Sequence, residues 1–302
     1  MRVLALILLL LPSAAFAHTG HLHWWEIGTT WAWSPWVVLP LALTATLYTI
    51  GTTRLWRHAG HGRGVRLWQA FCFAGGWLLL FGALVAPLHW LGERLFAAHM
   101  IEHEILMAVA APLIAVSRPA GAMLWGLPAR WRSRVGGIGQ TSVFAAAWRR
   151  LTDPPIATAI HGIALWSWHA PPLYNAALAN DFVHWLQHVS FLATALLFWW
   201  ALLRGRERER GYGSAAFYLF LTSLHSGFLG VLITFARQPI YPLQSEAASD
   251  WGLAPLDDQQ LAGLIMWVPA GMVYAIAALV LAGVWIAGIG ARAGGTDHVK
   301  LR

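Results

Sequence analysis

Leu95 to Ser117 reads LFAAHMIEHEILMAVAAPLIAVS. The stretch is long and apolar enough to cross a bilayer, which takes about 20 residues, yet its first turns carry His99, Glu102, His103 and Glu104. An ionisable group inside hydrocarbon costs roughly 2.5 to 3.5 kcal/mol on insertion scales, so four kept together point to use rather than accident. At 3.6 residues per turn His99, Glu102 and His103 fall on one face, about 5 to 6 Å apart, which is metal-ligand spacing. Glu104 points elsewhere and joins a stripe with Met100 and Met107.

Working outward, the whole chain has the same character. Of 302 residues 58% are hydrophobic, only 11% are charged and 20 are Trp; a soluble domain would carry about twice that charge. The chain is read as an all-α polytopic membrane protein. Its net charge of +7 does not indicate nucleic acid, because the basic residues sit in short connections between apolar spans rather than in a patch. The single cysteine, Cys72, excludes an intrachain disulfide and any CxxC thiolate site. A bound metal must then be held by histidine, carboxylate or methionine.

Arg2, the apolar run Val3 to Leu11 and Ala15-Phe16-Ala17 read as a signal peptide over residues 1–17. Cleavage there would expose His18 as the mature N-terminus, whose amine beside His21 and His23 can chelate copper; the same HTGHLHWW also reads as a plain hydrophilic start to an outer segment, 18–34. Seven spans follow in a membrane domain, 35–290, and a tail, 291–302, ends the chain. The spans are Pro35 to Thr53, Leu67 to Pro87, Leu95 to Ser117, Pro155 to His169, Phe182 to Leu203, Gly213 to Phe235 and Gln259 to Ile289. The fourth is short because paired prolines bound it.

Of the 20 basic residues only Arg2, Arg94 and Arg237 lie outside four clusters, and those clusters occupy alternate connections. The positive-inside rule then puts the mature N-terminus outside and the C-terminus in the cytoplasm, in agreement with the signal peptide. The segment Ala120 to Arg150, rich in Trp and Arg, predicts an interfacial helix on the cytoplasmic side. RGRERER reads as a solvated loop.

This topology gives each histidine a depth. His89 and His169 end spans two and four on the outer side, while His99 with His103 and His184 with His188 open spans three and five at matched depth. Asp181, His184 and His188 share a helix face, with Gln187 beside it. Asp257, Asp258 and Gln259 stand at the mouth of span seven, with Met266 two turns deeper. His161 and His225 fall nearer mid-membrane, and His58, His61 and His298 on the cytoplasmic side carry no assigned role. Two HxxxH pairs at one depth favour a metal or proton site over interhelical hydrogen bonding alone. The end of span two with HMIEH also resembles the end of span four with HWLQH, as a weak internal repeat.

The segments AHMIEHEILMAVAAPLIAVSRP, WSWHAPPLYNAALANDFVHWLQHVSFLATALLFWW, TFARQPIYPL and DDQQLAGLIMWVPAG together resemble the CtaG family of integral membrane proteins that assist assembly of caa-type cytochrome c oxidase. The resemblance runs from about Trp25 to the end of span seven. It implies a seven-helix protein of the bacterial inner membrane that matures a haem-copper oxidase by delivering copper. The functional residues implied are His99, His103, His169, His184 and His188, then His225 and Asp258. Its partners would be oxidase subunits and a periplasmic copper donor.

On that reading His99, His103, His184 and His188 form a copper site open to the periplasm, with Glu102 and His169 as exchange ligands and His89 nearby. Imidazoles suit copper, and the Irving-Williams order favours Cu(II) among divalent ions. Met100, Met107 and Met266 are either softer stations for Cu(I) or packing residues. Three rivals remain. His99 to His103 matches HxxEH, a zinc hydrolase pattern with Glu102 as general base. One histidine from each pair could ligate haem. Finally, the protein could be a non-enzymatic, metal-free scaffold.

Overall fold

The computed structural model describes residues 30–204, 211–244 and 246–297, and among them every regular element is helical. The signal peptide, His18, the RGRERER loop from residue 205 onward and the extreme C-terminus lie outside the described residues. The helices are α1 (Pro35–Ala59), α2 (Leu67–Leu84), α3 (Pro87–Gly92), α4 (Phe96–Ser117), α5 (Pro119–Gly126), α6 (Ala129–Gln140), α7 (Ser142–Leu151), α8 (Pro154–Trp168), α9 (Pro171–Ala179), α10 (Asp181–Arg204), α11 (Gly211–Thr234) and α12, which begins at Pro255–Ile265 and continues to Asp297. A short 3-10 turn, Glu246–Trp251, lies between the last two.

Among the described residues six helices, α1, α2, α4, α10, α11 and α12, are long and apolar enough to cross a membrane. The predicted fourth span is the exception. Its helix α8 has 15 residues, about 22 Å at 1.5 Å per residue, against a hydrocarbon core of about 30 Å. It packs between α10 and α11, with Pro154-Pro155 and Pro171-Pro172 at its ends as read from the sequence. The chain is thus shown to be a helical membrane protein.

The segment Ala120 to Arg150 differs from the one interfacial helix expected. Its first part, α5, is apolar and lies so close along α1 that a methyl group on Gly51 would collide with the Ala122 carbonyl and one on Gly126 with that of Leu47. Small residues at such crossings let two backbones touch. Arg54, expected in a loop, lies within α1 and donates from Nη1 to the carbonyls of Trp125, Gly126 and Leu127 at 3.0, 2.9 and 3.1 Å. Those carbonyls end α5, where a cation is favoured. Only α6 and α7 have no buried residue, and Trp131, Ile138, Val143 and Phe144 stand exposed among their arginines.

The helix that organises the molecule is α4, more than half buried within the bundle. It contains a π-helical turn, Ile105–Ala110, with only Ala111 between it and Pro112. In that turn the Ala111 N–H reaches back to the Leu106 carbonyl, and residue 112, a proline, has no N–H to offer the next carbonyl. The Met107 carbonyl is therefore left without a backbone donor. The Trp199 indole of α10 fills the gap, donating from Nε1 at 2.9 Å. A second π turn, Met266–Ala270, accommodates Pro269 within α12, as expected where a proline interrupts the i to i−4 ladder.

Candidate metal centre

Three helices begin at the same end of the bundle, and each brings polar residues in its first turns. In α4 the fourth and eighth residues are His99 and His103; in α10 His184 and His188 are likewise fourth and eighth. The rise of a helix sets both pairs at roughly 5 and 10 Å from their helix starts. The matched depth read from the sequence brings the two pairs together. Ring centroids are 4.2 Å apart for His99 and His103, 4.5 Å for His184 and His188, 5.4 Å for His99 and His184, and 5.1 Å for His103 and His188.

Nitrogen atoms of His99, His103 and His188 all lie within 4.8 Å of one another, and all three residues are buried. Both ring nitrogens of His99 and of His103, and the Nε2 atoms of His184 and His188, have no hydrogen-bond partner among the described residues. Buried polar atoms are almost always paired because leaving them unpaired is costly. Buried imidazole nitrogens this close together and otherwise unused fit an ion that binds imidazole.

Glu102 is fully buried and ties the cluster to the surface. His89 Nδ1 donates to its Oε1 at 2.8 Å, and His188 Nε2 lies 3.3 Å from the same oxygen without hydrogen-bond alignment. Its Oε2 faces Gly92, where a methyl group would come within 3.0 Å of it. Burial opposes a charge on His89, but Glu102, through both charge and hydrogen bond, with Glu93 and Asp181 farther out, outweighs it and raises the pKa to about 9. His89 is therefore a cationic partner to Glu102 in the metal-free protein, on the separate short helix α3 rather than at the end of span two.

His169 ends α8. Its Nδ1–H donates to the Leu165 carbonyl at 2.7 Å, which fixes the ring and leaves Nε2 buried and unpaired. A histidine held at one nitrogen and free at the other is prepared as a ligand. It packs against Phe191, as does His103. Two residues implied by resemblance stand elsewhere. His225 accepts from the Trp166 indole at 3.4 Å and borders Gly162; it lies near His161, whose Nδ1 is 3.1 Å from Thr194 Oγ1. Asp258 lies at the start of α4 and spends both oxygens on backbone, accepting from Phe96 N at 2.7 Å and Ala97 N at 3.0 Å. It thereby caps α4 from another helix, a carboxylate at a helix N-terminus.

Met100, Met107 and Met266 are buried packing residues of the main core. Of the face expected on α10, Asp181 is exposed while Gln187 is fully buried with neither amide atom paired. Residues that the sequence reading missed close this end of the bundle. Tyr241 donates to the His169 carbonyl, Tyr174 donates to Gln244 at 3.0 Å, and Gln244 Nε2 donates to the Gly92 carbonyl at 2.7 Å. Tyr174 also meets His99 edge to face at 5.6 Å. TFARQPIYPL carried the signal for Tyr241, without saying what it touches.

These features define a helical membrane protein with an inward-facing cluster of histidines at one end of its bundle. The chain belongs to the cytochrome c oxidase caa3 assembly factor family, whose model matches residues 46–287. Comparisons with curated proteins and with solved structures gave no match.

Proposed function

We propose that this assembly factor binds copper at the histidine cluster and passes it to a subunit of the oxidase. The observation that carries the reading is the convergence of His99, His103 and His188 nitrogens within 4.8 Å, buried and without other partners. His184 and His169 stand ready as further imidazole ligands. Copper is here the cargo: the protein must hold it selectively and then release it. An all-imidazole set meets both needs, since it favours copper among the first-row divalent ions and lacks the thiolates that would retain it. Rings packed 4.2 to 5.4 Å apart suit one ion better than a porphyrin, whose plane would have to pass between them.

In this reading the cluster opens outward and copper is taken from a periplasmic donor. Support comes from the distribution of charge: Arg54 and Arg57 near the end of α1, Arg63 and Arg66 in the connection after it, and the arginines of α6 and α7 lie toward the side opposite the cluster, which the positive-inside rule makes cytoplasmic. The short α8 serves as a seventh span, its polar end at His169 held by the loop that carries Tyr241. The test is metal analysis of the purified protein beside a variant in which His99, His103, His184 and His188 are all alanine. About one copper per wild-type chain and none in the variant is expected; zinc, iron or no metal in the wild type after copper reconstitution would overturn the reading.

A further inference from the structure

The buried cluster needs a way in, and one line of ligand-type atoms leads to it from the surface. Glu93, at the end of α3, is half exposed, and its Oε1 is 3.9 Å from His89 Nε2. The His89 side chain is 17% exposed, and its Nδ1 is 2.8 Å from Glu102 Oε1, which is fully buried. That oxygen is 3.3 Å from His188 Nε2, itself a member of the three-nitrogen cluster. Exposure falls from Glu93 through His89 to Glu102, His188 beyond is buried, and no step exceeds 3.9 Å. The His184 ring lies parallel to that of His89 at 5.5 Å, with its Nε2 buried and unpaired, so a second rung leads the same way.

Two carboxylates flank the top of this line. Asp181, exposed on the first turn of α10, lies within electrostatic range of both His89 and Glu93. The nearby cation does not block it. Arg94 lies over the Trp90 ring at 3.8 Å, and its Nη1 is 3.7 Å from Glu93 Oε2, leaving Oε1 toward His89. Glu102 Oε2, buried and without a partner, supplies a free acceptor halfway down.

Building on the copper reading above, we propose that Glu93 and Asp181 capture a cupric ion at the outer surface and that His89, releasing its Nε2 proton to water as the ion arrives, and Glu102 hand it to the cluster. An ion moving along such a line exchanges one ligand at a time and is never stripped of all its donors, so it avoids the full cost of desolvation. The carboxylates act on the rate of arrival, because negative charge at the mouth of a site raises the local concentration of a cation. The imidazoles beneath set how tightly it is finally held.

The experiment mixes the purified, metal-free full-length protein with copper sulfate in a stopped-flow instrument, follows quenching of tryptophan fluorescence, and measures bound copper at the end. The Glu93→Gln/Asp181→Asn double variant should fill about tenfold more slowly at low salt. Added salt should shrink the difference, and the double variant should reach the wild-type copper content later. Filling at the wild-type rate would overturn the proposal, as would an unchanged rate with a lower final content, which would make the acids ligands rather than a route. Glu93→Gln alone, at a half-exposed position, should give part of the slowing, and wild-type speed there with full slowing in Asp181→Asn would remove Glu93 from the path. A wild-type protein that takes up no copper would sink the copper reading itself, an outcome distinct from a wild type that fills normally beside an equally fast variant.

Discussion

At the scale of single residues, the site divides into groups with spare lone pairs and groups whose bonds are spent. His103→Ala and His188→Ala should each weaken copper binding by more than about tenfold, since loss of even an outer partner of a metal ligand costs 10- to 100-fold. His225→Ala should bind like wild type, because that ring pairs with Trp166; equilibrium titration of the three proteins against a competing chelator checks both statements. Glu102→Gln should lower stability by an amount on the order of 3 kcal/mol, the low end for breaking a buried ion pair, because His89 keeps some exposure. A double-mutant cycle with His89→Asn, read by thermal unfolding in detergent, isolates that pair.

At this scale the sequence was informative for a physical reason. The period of a helix is fixed, so two HxxxH pairs opening two spans could be set on faces at known depth without coordinates. What the spacing could not reveal is which side chains meet across the bundle. Nothing local marks His89 as the partner of Glu102, or Asp258 as bonded to backbone rather than metal; the first contact joins two separate helices 13 residues apart and the second joins segments 162 residues apart.

At the scale of elements, the position of the histidines depends on how α4 starts and how it bends. Asp258→Ala removes both acceptors from its first turn and should lower stability by about 1 kcal/mol, the usual worth of an N-cap, and should weaken copper binding as the turn frays. Asp258→Asn keeps one acceptor oxygen and should restore much of both; thermal melts and copper titration of the pair test it. Trp199→Phe should cost about 1 to 3 kcal/mol by leaving the Met107 carbonyl buried and unpaired, again measured by unfolding in detergent. The π turns were not legible beforehand, because a hydrophobic run of this length reads the same with or without one extra residue. The end of α1 was misread for a related reason: Arg54 looked like a loop residue, yet its charge is used on the carbonyls that finish α5.

At the scale of the whole molecule, the membrane class was evident from composition, since 58% hydrophobic and 11% charged residues leave no soluble alternative. The span count was less secure, because paired prolines cut α8 to a length that hydropathy alone cannot assign. Orientation is directly testable. A green fluorescent protein fused after Arg302 should fluoresce and alkaline phosphatase fused there should be inactive, and the opposite pattern would invert the topology. The histidines of the cluster have all been synthesised by position 188, but the carboxylate that caps their helix comes at 258 and the tyrosine on His169 at 241. A nascent chain still on the ribosome thus has every imidazole and no finished pocket. On the copper reading, competence to take up an ion would arrive only once the chain has been made as far as Asp258.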